Sequence, residues 1–463
     1  MVASRAVVTI ELVLTGKRVA RATGQGVAFR PGAVLIAAGR IVDVVDPAEA
    51  PSEAPTEDLG DWLVMPGLVD THVHLNEPGR TAWEGFASAT RAAAVGGVTT
   101  LVDMPLNSIP PTTTLAGLEA KRAAASGNCH VDVAFWGGVV PGNAADIPAL
   151  IDAGVAGFKS FLIDSGVEEF GHVGADDLLL ALPILAEARR PLLAHAELPG
   201  PIAAVAGRLP PPGDPAHERH ATWLASRPNA AEDEAVALLV ALCRSTGAPI
   251  HVVHHCSASS LDTLLRARHD GLPLSAETCP HYLHFASEDI PDGATQYKCA
   301  PPIRDRDNRE QLWEALHAGV LDAVVSDHSP CTPQLKRGDF DAAWGGIAGL
   351  QLGLSAIWSE ASARGHGPER LVEWMCAAPA RLAGLDRRKG KLAAGFDADV
   401  IAFDPEARWQ LQPEALHHRH DVTPWIGEPM RGRVRATWLR GAQVAAAGQP
   451  CGEPTGALLT RTD

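Results

Sequence analysis

From Pro66 onward one unit recurs: an apolar run rich in β-branched residues, followed by an Ala- and Leu-rich amphipathic segment. That alternation reads as successive β/α units. Strands are expected at 67–74, 98–105, 130–139, 157–162, 191–197, 249–255, 272–279 and 321–328. Each run is nearly continuous in apolar character, as parallel strands covered on both faces must be. Eight such runs predict an α/β protein built on a (β/α)₈ TIM barrel. A doubly wound open sheet is the alternative, but no G-x-G-x-x-G turn follows an early strand.

The barrel is expected over residues 65–387. Short β-like pieces flank it: VVTIELVL, GAVLIAAG and RIVDVVD before, ADVIAFDP and RVRATWLRGAQVAAAG after. Residues 1–64 and 388–463 are therefore expected to pair into one small β-sandwich domain beside the barrel. A chain of 463 residues, 46% of them hydrophobic, is long enough for both. In MVASRAVVTIELVL, Glu11 interrupts the apolar run and Lys17 and Arg18 follow, so the stretch reads as a first strand and not an export signal. No apolar run approaches bilayer length. A net charge of −16 without a dense Lys/Arg cluster speaks against nucleic acid or an anionic membrane as partner. The eight cysteines are scattered with no C-x-x-C pair, which suits reduced thiols in a cytoplasm.

The chemistry lies at the ends of the expected strands. His72 and His74 stand at i and i+2 on strand one and share a face. Lys159 is in strand four, His195 ends strand five, His254 ends strand six and Asp327 ends strand eight. In a barrel all six converge on the C-terminal rim, where barrel enzymes place their active sites. One histidine in an apolar strand is usually a satisfied core residue. Four imidazoles and a carboxylate at equivalent strand ends have few structural explanations, whereas divalent metal binding needs that ligand mix. In strand six, His251 shares the facing of His255 while His254 faces the other way, and periodicity does not choose between them. Histidines 417, 418 and 420 of the HHRH run read as ordinary surface residues.

Lys159 is the odd member, because a barrel-facing ammonium beside cations is doubly unfavourable. Burial and positive neighbours both lower a lysine pKa. A neutral amine captures carbon dioxide as a carbamate, whose two oxygens can bridge two metals.

The stretches MPGLVDTHVHLNEPGRTAWEGF, GGVTTLVDMPLNSIPPT, GFKSFLIDSG, HVVHHCS, ETCPHYL, KCAPPIRD, VVSDHSPC and AWGGIAGLQ span nearly the whole barrel. As an ordered set they resemble the cyclic amidohydrolases of the amidohydrolase superfamily, relatives of dihydroorotase and of dihydropyrimidinase or hydantoinase. The resemblance implies that His72, His74 and Asp327 bind the more buried metal. It implies that His195 and His254 bind the second, with carboxylated Lys159 bridging. The fixed step from the family's sixth-strand ligand to a Ser-containing turn selects His254 over His255. Zinc is the expected metal, with cobalt, manganese and iron as alternatives. Hydroxide bridging the metals would attack the ring carbonyl, and Asp327 would act as general base and acid.

The resemblance also bears on the ring. Dihydroorotases follow the H-x-H pair with an arginine that grips the substrate carboxylate, and here that position is Asn76. Dihydropyrimidinases carry a tyrosine shortly after the bridging lysine, where this chain reads SFLIDSG, with Asp164 in that neighbourhood. A neutral ring ureide is the substrate class left, and allantoin is the ring expected. Asn76, Asn107 and Ser329 are the expected substrate-binding side chains, with backbone groups near Ala300 and Gly346. Hydantoin, dihydropyrimidines and dihydroorotate remain the alternative substrates. A non-catalytic scaffold is the reading from another class, but such relatives lose metal ligands and every ligand position here is filled. The same resemblance implies a homotetramer.

Overall fold

The structure is a computed structural model that describes residues 9–24 and 26–461. The part of the expected first strand that falls on residues 1–8 lies outside the described residues.

Both ends of the chain build one sheet. Its strands are β1 (Leu12–Thr23), β2 (Gly26–Ala37), β3 (Arg40–Val45), β4 (Thr56–Asp58) and β5 (Leu63–Pro66) from the amino-terminal side. The strand order brings in four more from the far end of the sequence, described below. Next come the parallel strands β6 (Leu68–Val73), β7 (Val98–Asp103), β8 (Asp132–Phe135), β9 (Gly137–Gly138), β10 (Phe158–Phe161), β11 (Leu192–His195), β12 (Ile250–Val252), β13 (Leu274–Thr278) and β14 (Ala323–Val324). The chain closes with β15 (Val400–Gln410), β16 (Pro429–Leu439), β17 (Ala442–Ala446) and β18 (Gln449–Pro450). The terminal sheet runs β18-β17-β16-β15-β5-β1-β2-β3, with β4 on β1. Its seam is the antiparallel pair β5–β15, where Leu63 faces Phe403 and Val64 faces Ala402, all four buried.

The parallel strands form two sheets, β6-β7-β8 and β9-β10-β11-β12-β13-β14. Only Trp136 separates β8 from β9 along the chain, and its N–H donates to the Asp103 carbonyl at 3.0 Å. At the other edge Val73 makes a parallel bridge to His328, and the His74 N–H donates to the His328 carbonyl at 2.8 Å. Each of the eight expected strands contains an observed one, always shorter. Strand six stops at Val252 and strand eight at Val324, ahead of residues that enter the left-handed region, His254 at φ 39° and Asp327 at φ 43°.

Helices join the strands in a manner the sequence dictates locally. Helix Asn229–Thr246 buries Ala231, Ala235, Val236, Leu239, Leu242 and Cys243, a stripe at helical spacing. It ends at Gly247, whose φ of 69° lets its N–H return to the Cys243 carbonyl. Helix Arg306–Ala318 begins where Asp305 accepts the Asn308 N–H at 2.8 Å, and it ends at Gly319. Among the described residues no helix is long and apolar enough to cross a membrane.

A buried ionic knot fastens the terminal sheet to the parallel strands. Lys389 Nζ lies 2.6 Å from Asp132, the first residue of β8, 2.6 Å from Asp399 and 3.0 Å from Asp397. Arg440 also pairs with Asp132 and Arg388 with Asp397, so the three carboxylates are neutralised where water cannot reach them.

Candidate active site

His72 and His74 leave the C-terminal end of β6, Lys159 sits in β10, His195 ends β11, and His254 and Asp327 follow β12 and β14. These six line one cavity of about 330 Å³, together with Asn107, Ala300 and Ser329. Asn76 and Gly346 are not on its wall. Asn76 Nδ2 instead donates to the Pro330 carbonyl at 3.2 Å, and the Gly346 N–H donates to the Lys298 carbonyl at 2.9 Å. Gly346 backs Ser329 so closely that a Cβ there would come within 2.4 Å of the Ser329 carbonyl oxygen.

The donor atoms fall into two sets. His72 Nε2 and His74 Nε2 lie 3.2 and 3.6 Å from Asp327 Oδ1, and one donor atom from each of these residues lies within 4.8 Å of the others. Opposite them, His195 Nδ1 faces His254 Nε2 at 2.9 Å. The His72 and His254 ring centres are 5.3 Å apart, which brings the two sets together. Lys159 is fully buried, its Nζ has no hydrogen-bond partner among the described residues, and it sits 4.9 Å from the centre of the Phe161 ring. Burial lowers its pKa to about 8. Burial first, then neighbouring cationic groups, hold His72 and His254 well below the usual imidazole range. Neutral imidazoles with free lone pairs and a readily deprotonated amine are what a cation site requires.

Two carboxylates that sequence reasoning passed over orient these rings. Glu277 in β13 places one oxygen 2.6 Å from His72 Nδ1 and the other 3.0 Å from His251 Nε2. Glu197 holds His195 Nε2 at 2.8 Å and accepts from Arg227 Nη1 at the same distance. A carboxylate on one ring nitrogen fixes the tautomer and turns the other nitrogen towards the cavity. Their signal was present: each is an acid in or next to an apolar strand, Glu197 two residues past His195. Glu277 also accounts for His251, whose other nitrogen meets Ser275 Oγ at 2.7 Å. His255 turns to the Ser257 carbonyl at 2.9 Å, leaving His254 as the strand-six histidine in the cavity.

The HHRH run is not an ordinary surface segment. His418 is buried with its ring 4.8 Å from that of His328, Arg419 bonds Glu84 through both its backbone N–H and its guanidinium, and His420 meets the Ala82 carbonyl at 2.8 Å. The segment clasps the loop after β6 against the loop that bears Asp327. The remaining cavity wall, also unforeseen, includes Trp223, Arg227, Lys298 and Trp344.

The chain belongs to the amidohydrolase family, whose family model matches residues 63–444. It is 49% identical to the allantoinase of Streptomyces avermitilis over 98% of this chain and 99% of that one. It is 45% identical to the allantoinase of Saccharomyces cerevisiae over 84% of each. Among solved structures, L-hydantoinase (dihydropyrimidinase) from Arthrobacter aurescens superposes with a TM-score of 0.92 at 30% identity, covering 98% of this chain and all of that one.

Proposed function

We propose that the protein hydrolyses the ring amide of allantoin to allantoate. The observation that carries this reading is the pair of facing ligand sets at the ends of parallel strands, in a chain close in sequence to allantoinases over nearly its whole length. His72, His74 and Asp327 would hold one divalent cation and His195 and His254 a second, zinc being the first candidate. Lys159 would bridge them as a carbamate, a role supported by its buried, unpartnered amine. Two cations so held lower the pKa of water and polarise a carbonyl.

The chain's own groups do the rest. Asp327 accepts the proton of the attacking water and returns it to the leaving ring nitrogen. Glu277 and Glu197 keep His72 and His195 aimed while that happens. Asn107, Ser329 and the backbone at Ala300 offer hydrogen bonds to the ring from the cavity wall. Asn76 and Gly346 act from behind it, by holding the Pro330 carbonyl and by leaving room for Ser329.

The same reading extends to architecture. We infer a closed (β/α)₈ barrel over 65–387, which the Val73–His328 bridge between first and eighth strands supports. Residues 1–64 and 388–463 form its companion β domain, and the assembly is a cytoplasmic homotetramer. Turnover of allantoin, hydantoin, dihydrouracil and dihydroorotate by the metal-loaded protein tests the substrate. Allantoin is expected to be the best of the four, and dihydroorotate or dihydrouracil in that place overturns the assignment.

A further inference from the structure

The cavity has a second side that the hydrolytic cluster leaves unused. Trp223, on helix His220–Ser226, is fixed by its indole N–H donating to the Cys299 carbonyl at 2.9 Å. Two cationic heads lie against its rings, Lys298 Nζ at 4.3 Å and the Arg227 guanidinium carbon at 4.9 Å from a ring centre. All three residues line the cavity. Lys298 is only 5% exposed, and its Nζ donates to the carbonyls of Ala343 at 2.6 Å and Asp341 at 3.0 Å. An ammonium has three N–H donors, so one is left over. Among the described residues the Arg227 side chain makes one hydrogen bond, from Nη1 to Glu197, so most of its fork is also uncommitted.

A ring whose scissile amide lies at the His72–Asp327 cluster directs its substituent away from that cluster. The wall that receives it is a flat indole with two cationic donors, suited to a planar group that presents a carbonyl oxygen. We propose that Lys298, on its Trp223 platform, is a specificity-determining residue that binds the carbonyl of the ureido arm and so selects a ureido-bearing ring over a bare one. This rests on allantoin as the substrate. Lys298 is the residue to test because its partners are carbonyls and an indole, whereas Arg227 is coupled to His195 through Glu197.

The experiment compares two ligands that differ by that arm. In Lys298→Met, which keeps an unbranched chain one atom shorter and its apolar contact with the indole, KM for allantoin rises roughly tenfold or more, the cost of one lost hydrogen bond to a charged donor. The inhibition constant of hydantoin, measured as a competitor of allantoin, shifts by less than about threefold because the bare ring never reaches this wall. Lys298→Arg, which retains a cationic donor on the indole in a bulkier planar form, holds the allantoin KM below that of the methionine variant, and bound metal is the same in all three proteins. A hydantoin constant that worsens in step with the allantoin KM shows a collapsed wall and overturns the proposal, as does an unmoved allantoin KM or failure of the arginine variant to hold it below that of the methionine variant. Wild-type protein that leaves allantoin intact overturns the substrate reading itself, and this inference with it.

Discussion

His195 Nδ1 and His254 Nε2 stand 2.9 Å apart across the buried floor of the cavity, two ring nitrogens from positions 59 residues apart directed at one another. Burial disfavours the imidazolium form of both. With a proton on one of the two nitrogens the contact is a hydrogen bond between neutral rings; with the protons on the far nitrogens, His195 Nε2 being held by Glu197, both lone pairs converge on one point, the arrangement that a divalent cation takes up. A cation satisfies both rings at once. Prolonged treatment with a chelator is therefore expected to abolish hydrolysis, and added divalent metal to restore it. His254→Asn is expected to retain less metal than wild type by elemental analysis. Full activity in thoroughly metal-depleted protein would sink the metal assignment.

Lys159→Ala is expected to lose activity to background and to bind less metal, because the buried amine, once converted to a carbamate, would supply the anionic bridge. A short carboxylic acid added to that variant should restore part of the activity by standing in for the carbamate. An active, fully metallated Lys159→Ala protein removes the lysine from the site.

Asp327→Asn preserves shape and a weak oxygen ligand but cannot carry a proton. Its kcat on allantoin is expected to fall by about 10²- to 10⁴-fold, the usual contribution of a positioned general base. Steady-state kinetics at matched metal occupancy provide the check, and wild-type kcat would exclude the role.

Lys389→Met removes the ammonium shared by Asp132, Asp397 and Asp399 and leaves buried carboxylates short of a partner. The expected loss is about 3 to 5 kcal/mol of stability. Thermal unfolding should show it as a lower midpoint, and a midpoint equal to wild type would mean that Arg388 and Arg440 suffice.

His220 gives a pH dependence of stability. It is buried against Phe340, both ring nitrogens lack partners among the described residues, and burial pushes its pKa down to about 4 from 6.5. In the folded protein it is neutral while the unfolded chain takes up a proton, so stability is retained above pH 6.5 and falls as pH drops from there towards 4. At pH 5 the penalty from this one group is about 2 kcal/mol. Urea unfolding of wild type and of His220→Leu at pH 7 and pH 5 tests it: the wild type should lose more stability between the two than the variant does.

The sequence carried the strand positions because eight apolar β-branched runs leave little else for residues 67–328 to form. It carried the metal-site candidates because charged groups at successive strand ends are costly without a ligand. Alternation could not resolve His251, His254 and His255, since β12 stops at Val252 and alternation loses its meaning beyond a strand end. Glu277 and Glu197 were passed over because an acid beneath a histidine looks, in one dimension, like any other strand polar residue. The clasp at 417–420 and the Trp223–Lys298 wall come from contacts between segments distant in sequence, and no local pattern records those.

The seam between β5 and β15 sets an order on biosynthesis. Residues 12–66 leave the ribosome long before Val400–Gln410, so β5 must wait with an open backbone edge while the intervening parallel strands are made. Pairing across so long a stretch is slow, and an unpaired edge is a template for the wrong neighbour. A chain cut short before β15 is thus left not as a smaller working enzyme but as a sheet open at its centre, prone to join another copy of itself.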